Sequence, residues 1–368
     1  NGMQRGNSLP RANALCALSS HRRSHGIFHL PNKKGPASMT KYIIKRLLYS
    51  ILILFCVSLI IYFLVRLLPT DFVTQKFRSQ LDQGTVSQED IDAMLKLYGL
   101  YDNSFTGILK GYWGWLTSAL RGDLGISFKF NDKVSTVITT YMWISFTISA
   151  VALVLEFIIA IPLGIYSATH QYGWSDYLVT VLAMIGISLP SFFLGSLLIK
   201  IFGVDLGWLP MQGLVDATAD YTGFAAVLDK ARHCILPMLT LVILSIGGLM
   251  RYTRTNTLEV LNADYIRTAR AKGLSEHDVV YKHVFRNTMI PLVTMMAGTL
   301  PSLFSGAMIT EEIFSLQGIG QKAYQALCAG DIPFIMGYNM FLAILTVIGT
   351  FLTDIAYMLV DPRVKLLK

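Results

Sequence analysis

The sequence predicts an all-α membrane protein with six transmembrane helices. Of the 368 residues, 53% are hydrophobic and only 15% are charged, and the mean hydropathy is +0.51. The chain is therefore far more apolar than an average soluble domain. Six segments are long and apolar enough to cross the hydrocarbon core of a bilayer, which takes a helix of roughly 20 residues. An even number of spans places both chain termini on the same side of the membrane.

The predicted spans are apolar runs separated by polar connections, and they cover residues 44–68, 138–168, 177–202, 233–254, 290–312 and 335–360. Three spans contain glycine and proline close together, at Ile161–Gly164, Gly186–Pro190 and Gly298–Pro301. We expect close helix packing and local kinks at these places, because neighbouring helices in a membrane can satisfy the backbone groups that proline frees.

Basic residues predict which side of the membrane each connection occupies. They precede the first span, follow the last and fill the 255–289 connection; they are Lys41, Lys45, Arg46, Arg251, Arg254, Arg267, Arg270, Lys272, Lys282, Arg286, Arg363, Lys365 and Lys368. The positive-inside rule places these segments, and therefore both termini, in the cytoplasm. The 69–137, 203–232 and 313–334 connections then lie outside.

The long 69–137 connection is predicted to form a small helical cap on the outer side. Ser87–Ile91 is typical of a helix start with an acidic first turn. Ile108–Leu120 has apolar residues at helical intervals. An unstructured loop is the alternative, but the aromatic side chains of Tyr112, Trp113 and Trp115 favour a packed helix.

The first 38 residues are treated apart from the fold. They contain six basic residues and no acidic residue, and no apolar run of secretory length follows Arg22–Arg23. We expect residues 1–38 to be a polar leader, or an added segment joined near Met39, without fixed structure. From Met39 onward 25 basic residues accompany 23 acidic ones, so the net charge of +8 does not indicate nucleic-acid binding.

The sequence lacks the motifs of several catalytic and metal-binding sites. No Gly-x-x-x-x-Gly-Lys-Ser/Thr nucleotide loop and no Gly-x-Ser-x-Gly elbow occurs in it. The four cysteines are scattered without metal or redox spacing. His277 and His283 lie on a charged loop, where solvated histidines are expected. We therefore expect no catalytic residue, metal or cofactor in this chain; if ATP is used, another chain must bind it.

A basic stretch in the 255–289 connection carries the strongest functional signal. Asn262–Ser275 has small residues at helical spacing with basic residues between them, which predicts a short helix that docks on another protein. Leu258–Leu274, followed by His283–Pro291, resembles the coupling-loop region of binding-protein-dependent ATP-binding-cassette (ABC) importers of the dipeptide and oligopeptide branch. Further motifs follow in the family's order; they are Lys45–Leu48, Leu68–Pro69, Gly122–Ser127, Ser188–Phe192, Gly207–Pro210, Glu312–Gly320 and Asp361–Val364.

Departures from the family pattern narrow the subgroup. Arg267–Ala269 stands where the wider family has Glu-Ala-Ala, and Arg286 stands where many members have proline. Both variants are similar to the first permease type of the peptide and nickel branch. Thr70 and Gln317 replace a usual glycine and a usual proline.

The resemblance implies the type I ABC importer permease fold over residues 39–368, with 69–137 as the external cap and 255–289 as the cytoplasmic coupling loop. The implied partners are a second, related permease subunit, two ATPase subunits that bind ATP and Mg²⁺, and an external solute-binding protein. The implied location is a bacterial or archaeal plasma membrane, where the chain contacts lipid and no nucleic acid.

The resemblance also indicates the residues that contact the ATPase: Asp264, Tyr265, Ile266, Arg267, Ala269, Arg270, Lys272 and Gly273. Ala269 and Gly273, four residues apart, are expected to form a close-approach face on a helix. Tyr265 and Ile266 would add apolar contacts, and the basic residues would pair with acidic groups of the ATPase. An ordinary basic loop that only fixes topology would explain the charges equally well, but not the small-residue spacing.

Glu156 lies near the middle of the second predicted span, where an ionisable residue is costly and suggests a function. It is a candidate for lining the translocation pathway and binding a peptide's amino terminus. Pro190 and Pro301 are candidates for lining the same pathway. The alternative for Glu156 is a hydrogen bond between subunits or within its own helix, and the alternative for the prolines is plain packing. Asp354 is interpreted as a structural partner.

Three functions agree with the sequence to different degrees. The first is a peptide-importer permease, and the second is a permease of the same branch for nickel chelates, haem or glycosides, because motifs on the ATPase side do not report on cargo. The third is a carrier or membrane enzyme that works without partners, which leaves the pattern at 262–291 unexplained.

Overall fold

The computed structural model describes residues 36–66, 87, 89, 104–216 and 218–360, and all regular secondary structure in these ranges is helical. The helices are α1 Pro36–Arg66, α2 Phe105–Leu120, α3 Val134–Thr169, α4 Trp174–Ser188, α5 Ser191–Leu198, α6 Phe224–Leu261, α7 Asp264–Ala271, α8 Glu276–Asp278, α9 Phe285–Gly298, α10 Leu300–Ser305, α11 Met308–Ile313, α12 Ile319–Cys328 and α13 Ile332–Val360. Two π-helical segments, Ile199–Asp205 and Val279–Val284, follow α5 and α8.

The chain divides into two compact units, Asn1–Tyr49 and Ser50–Lys368. The described part of the first unit is the beginning of α1, which starts at Pro36 within the predicted leader. All other described residues belong to the second unit. The predictions for residues 1–35, Leu68–Pro69 and Asp361–Val364 lie outside the described residues.

Six spans result only if each of two bent helix pairs crosses the membrane once. Four single helices are long and apolar enough to cross; they are Ile44–Val65, Val134–Thr169, Phe224–Leu261 and Ile332–Ile355. The bent pairs are Trp174–Ser188 with Ser191–Asp205, at 104°, and Glu276–Met296 with Leu300–Ile313, at 45°.

The third predicted span, 177–202, is therefore not one continuous helix. Leu189 and Pro190 both have extended backbone conformations, and α5 begins immediately after them. Proline lacks a backbone N–H and disfavours the helical conformation of the residue before it. The expected kink at Gly186–Pro190 is thus a complete break between α4 and α5.

Helix α6 packs along α3 and α4 through glycines. A Cβ atom added at Gly164 of α3 would lie 2.7 Å from the carbonyl oxygen of Met250, and one added at Gly186 of α4 would lie 2.6 Å from that of Ile243. At Gly247 of α6, an added Cβ would lie 2.7 Å from Cδ1 of Ile187. Small residues at these crossings let the helix backbones approach closely, as is common in membrane bundles.

Replacing Gly247 with alanine is expected to destabilise the protein by about 1–3 kcal/mol, because the new methyl group overlaps α4 and the packed helices must separate. Gly248 is the matched control, since no atom lies within 4 Å of a Cβ added there. Alanine at position 248 should be neutral or slightly stabilising, because glycine is unfavourable inside a helix. Thermal unfolding of the two purified variants in detergent distinguishes them; equal unfolding temperatures would contradict the packing argument.

The predicted outer cap is represented by α2. Its side chains Tyr112, Ile108, Trp115 and Leu116 pack against Tyr62 and Val65 of α1 and against the beginning of α13. Ser104 caps the helix by accepting a hydrogen bond from the Gly107 N–H at 3.1 Å. The helix predicted at 108–120 is confirmed, while most of the helix predicted to start at Ser87 lies outside the described residues.

A buried glutamate joins three helices at the end of α11. The Oε1 atom of Glu311 accepts hydrogen bonds from the Ser145 hydroxyl at 2.6 Å and from the Ala307 N–H at 3.2 Å. Its Oε2 atom accepts one from the Gln321 N–H at 2.9 Å. Ser145 in turn accepts a hydrogen bond from the Ile319 N–H at 2.8 Å. Glu311 therefore holds α3, α11 and the start of α12 together.

Candidate functional site

Helix α7 occupies the stretch in which the sequence predicts a short docking helix. It begins at Asp264, two residues after α6 ends, and a carboxylate in the first turn interacts favourably with the helix dipole. It ends at Ala271, and Gly273 follows with a φ of +80°, a conformation that glycine adopts without strain. The N–H of Gly273 donates a hydrogen bond to the Arg270 carbonyl at 2.9 Å.

The inward face of α7 is apolar and fully covered by the chain itself. Ile266 is 0% exposed and Ala269 is 6% exposed, and both pack against Val279 and Val284 of the following π-helical segment. Arg270 strengthens this attachment, because its Nε and Nη2 atoms donate to the two carboxylate oxygens of Glu276 at 2.8 and 3.2 Å. Helix α7 is thus fixed to the segment that leads into α9.

The outward face of α7 carries polar and charged side chains and one small residue, Ala271. Asp264, Arg267, Thr268 and Ala271 occupy positions i, i+3, i+4 and i+7, which share one side of a helix, and all four are exposed. Arg267 and Asp264 form only a loose, exposed ion pair at 3.8 Å. Tyr265 is exposed beside this face, and Lys272 is exposed at its end. We call Asp264, Arg267, Thr268 and Ala271 the outward face below.

The structure corrects the expected close-approach face. Ala269 is not available to a partner, because it is buried against Val279 and Val284, and the same holds for Ile266. Gly273 lies beyond the end of the helix and ends it, so it does not form a helical face with Ala269. The small residue that α7 presents outward is Ala271.

An ion pair joins α6, the helix that precedes α7, to α4. Arg254 of α6 donates from Nε and Nη2 to the two oxygens of Asp176 of α4, at 2.9 and 2.8 Å. Asp176 also accepts hydrogen bonds from the Ser167 hydroxyl and, at 3.0 Å, from the Tyr172 N–H. The side chain of Asp176 is only 5% exposed. This pair ties the end of α3 and the start of α4 to α6, and Arg254 lies ten residues before the start of α7.

A cavity of about 520 Å³ lies between the end of α3 and the segment after α7. Its apolar wall includes Ile161, Ile165 and Leu261, and its polar side includes His170 and the Arg270–Glu276 pair. In this region, α7 and α3 are therefore separated by open space, and the attachment of α7 runs through α6 and the π-helical segment.

The three candidate pathway residues have different surroundings. Glu156 of α3 is half-buried, and Ser245 of the neighbouring helix α6 lies beside its carboxyl group. Pro190 lies at the break between α4 and α5. Pro301 begins α10 and lies against Gly349 of α13, where an added Cβ would approach the proline ring to 2.8 Å. A role for these residues in a pathway stays a prediction.

Sequence reasoning did not identify Asp176 and Glu311. Each lies near one end of an apolar segment and pairs with a residue far away in the chain: Arg254 for Asp176 and Ser145 for Glu311. The available signal was the presence of a carboxylate at the boundary of an apolar segment, where burial requires a partner.

Comparison with known proteins agrees with this architecture. Residues 160–366 match the family described as "Binding-protein-dependent transport system inner membrane component". The oligopeptide transport system permease protein AppB of Bacillus subtilis (strain 168) is 35% identical over 328 residues, which cover 89% of this chain and 100% of AppB. The glutathione transport system permease protein GsiC of Escherichia coli O6:H1 is 32% identical over 327 residues, which cover 89% of this chain and 99% of GsiC.

These matches confirm the resemblance to ABC importer permeases and the type I importer permease fold, and the several apolar helices make the chain a multi-pass membrane protein. The chain belongs to the family of inner membrane components of binding-protein-dependent transport systems.

Proposed function

We propose that the chain is a permease subunit of an ATP-driven ABC importer for dipeptides or oligopeptides. It forms half of the translocation pathway, and a second, related permease subunit forms the other half. Two cytoplasmic ATPase subunits bind ATP and Mg²⁺, and an external solute-binding protein delivers the cargo. The chain itself is a non-catalytic transport subunit of a bacterial or archaeal plasma membrane, with both termini in the cytoplasm.

The observation that carries the proposal is the separation of the two faces of α7. The inward face is buried against the rest of the chain and attaches the helix to it. The outward face carries both small and charged side chains, and no element among the described residues covers it. A helix of this kind fits a groove on a partner, where Ala271 permits close approach and Arg267 pairs with acidic side chains.

Attachment of α7 also supports a role in transmitting movement. A displacement of α7 reaches α6 directly, because α6 immediately precedes it. It reaches α9 through the packing of Ile266 on Val279 and Val284, and it reaches α3 and α4 through the Arg254–Asp176 pair. ATP binding and hydrolysis in the partner subunits then shift the permease between inward-open and outward-open forms, because the ATPases bind the two forms with different affinity. No covalent chemistry takes place in this chain.

Replacing Ala271 with tryptophan is expected to abolish transport and ATPase association, while the permease still inserts and folds, because the added bulk lies on the exposed face. Ala225→Trp is the matched control, since Ala225 is also exposed but lies at the opposite end of α6. Co-purification of the ATPases with each variant measures association directly. Retained ATPase binding and transport in Ala271→Trp would contradict the proposal.

The identity of the transported solute is a separate question. One relative, GsiC, is named for glutathione transport, so solutes other than dipeptides and oligopeptides are also considered. Nickel chelates, haem or other solutes remain the alternative for a permease with the same ATPase contacts. The test is stimulation of ATP hydrolysis in the reconstituted complex by binding protein loaded with dipeptides, longer peptides, glutathione or metal chelates. Solute movement by the isolated chain would instead identify a partner-independent carrier.

A further inference from the structure

We propose that α2 lies in the membrane–water interface and inserts one apolar stripe among lipid acyl chains. The stripe consists of Phe105, Leu109, Trp113 and Leu120. This inference goes beyond the transport function, because it concerns a contact with the bilayer and does not depend on cargo or ATPases.

Contacts with α1 fix the depth of α2. The hydroxyl groups of Tyr112 and Ser58 form a hydrogen bond at 2.9 Å, and the ring of Tyr112 contacts the edges of Phe55 and Tyr62 at 6.1 and 5.5 Å between centroids. Ser58 lies two helical turns, about 10 Å, inside the end of the Ile44–Val65 span. Helix α2 therefore lies beside the last turns of this span and not beyond it.

The apolar stripe is exposed in spite of this depth. Phe105, Leu109, Trp113 and Leu120 are 69%, 40%, 60% and 79% exposed. On a helix with 3.6 residues per turn, these four residues fall within about 80° of one another. They adjoin the packed face that contains Tyr112, so the two faces form one continuous apolar surface.

The remaining side of α2 is polar. Thr106, Lys110, Thr117 and Ser118 are exposed there. A helix with one broad apolar face, one polar face and a tryptophan at their boundary is typical of segments that lie in the interface plane. Lys110 can extend its aliphatic stem along the helix and keep its ammonium group in water.

The neighbouring surface of α1 identifies lipid as the occupant. Ile60 and Leu64 of α1 are 54% and 59% exposed at the same depth, on a helix that spans the membrane. The stripe on α2 is exposed and apolar in the same way, on a helix that packs against α1. In the proposed arrangement, the acyl chains that cover Ile60 and Leu64 also cover Leu109 and Trp113, which holds α2 at a fixed height.

The test uses nitroxide labels on the complete importer in vesicles of phosphatidylcholine and phosphatidylglycerol. The four native cysteines are replaced with serine, and single cysteines are introduced by Leu109→Cys and Trp113→Cys on the stripe and by Lys110→Cys and Thr117→Cys on the polar face. Collisions with oxygen, which concentrates in lipid, are compared with collisions with a water-soluble nickel chelate. We expect oxygen to dominate at positions 109 and 113 and the nickel chelate to dominate at 110 and 117.

Two results would overturn the inference. Dominant collisions with the nickel chelate at positions 109 and 113 would place the stripe in water, on a surface open to the external binding protein. Protection of both positions from both reagents would mean that a protein partner, such as the second permease subunit, covers the stripe. Transport by each labelled importer verifies that the labelled chain is folded, and loss of ATPase coupling would not alter the collision pattern.

Discussion

Replacing Arg254 with alanine is expected to destabilise the permease by about 3–5 kcal/mol, because the variant leaves the buried carboxylate of Asp176 without its cationic partner. In the native protein, this carboxylate receives two hydrogen bonds from Arg254, at 2.9 and 2.8 Å. Asp176 lies in the first turn of α4 and is almost fully buried. An uncompensated charge there must draw in water or separate α4 from α6, and either result disrupts the bundle.

Two comparisons make this prediction specific. Arg251→Ala removes a basic residue one turn earlier on α6, where the side chain is exposed and donates to the Met184 sulfur at 3.0 Å. Its expected cost is below about 1 kcal/mol. The double variant Asp176→Asn, Arg254→Gln removes both charges and should recover most of the stability. Thermal unfolding of the purified complex measures all three variants. Equal losses for Arg251→Ala and Arg254→Ala would refute the role of the ion pair.

Replacing Glu311 with glutamine is expected to cost about 2–4 kcal/mol although the two side chains have the same shape. Both carboxylate oxygens of Glu311 accept hydrogen bonds: Oε1 from Ser145 and Ala307, and Oε2 from Gln321. The backbone of Gly320 also lies close to this carboxylate, because a Cβ added there would lie 2.9 Å from Oε2. A glutamine amide can accept at one position only, and its NH₂ group would face backbone N–H groups at the other.

The neighbouring Glu312 provides the matched control. Its Oε2 atom is buried without a hydrogen-bond partner among the described residues, so Glu312→Gln removes the same charge without losing an acceptor. We expect this variant to be neutral or more stable than the native protein. The free energies of unfolding of the two glutamine variants should therefore differ by at least about 2 kcal/mol. A smaller difference would mean that Glu311 does not hold α11 and α12 in place.

The sequence predicted the elements of this protein better than their contacts. The short helix at 264–271 and the apolar helices follow from local periodicity and composition, which depend on neighbouring residues only. The bond between Glu311 and Ser145 joins residues 166 positions apart, and that between Arg254 and Asp176 joins residues 78 positions apart. Such pairs depend on helix packing, which a single sequence does not reveal.

The error at Ala269 and Gly273 has a similar physical origin. Spacing shows that two residues share a side of a helix but not which side the rest of the chain covers. Val279 and Val284, which cover Ala269, are brought there by the turn after Gly273. A glycine directly after a basic helix end is itself a helix-stop signal, and that signal was the better guide to Gly273.

The two faces of α7 also have a consequence for evolution. The residues that anchor the helix, Ile266, Ala269 and Arg270, are different from those that it presents, Arg267, Thr268 and Ala271. Mutations can therefore alter the presented set without loosening the anchor. Under the proposed docking of α7, a duplicated copy of such a permease can come to bind a different ATPase subunit through a few surface changes, while its bundle stays intact.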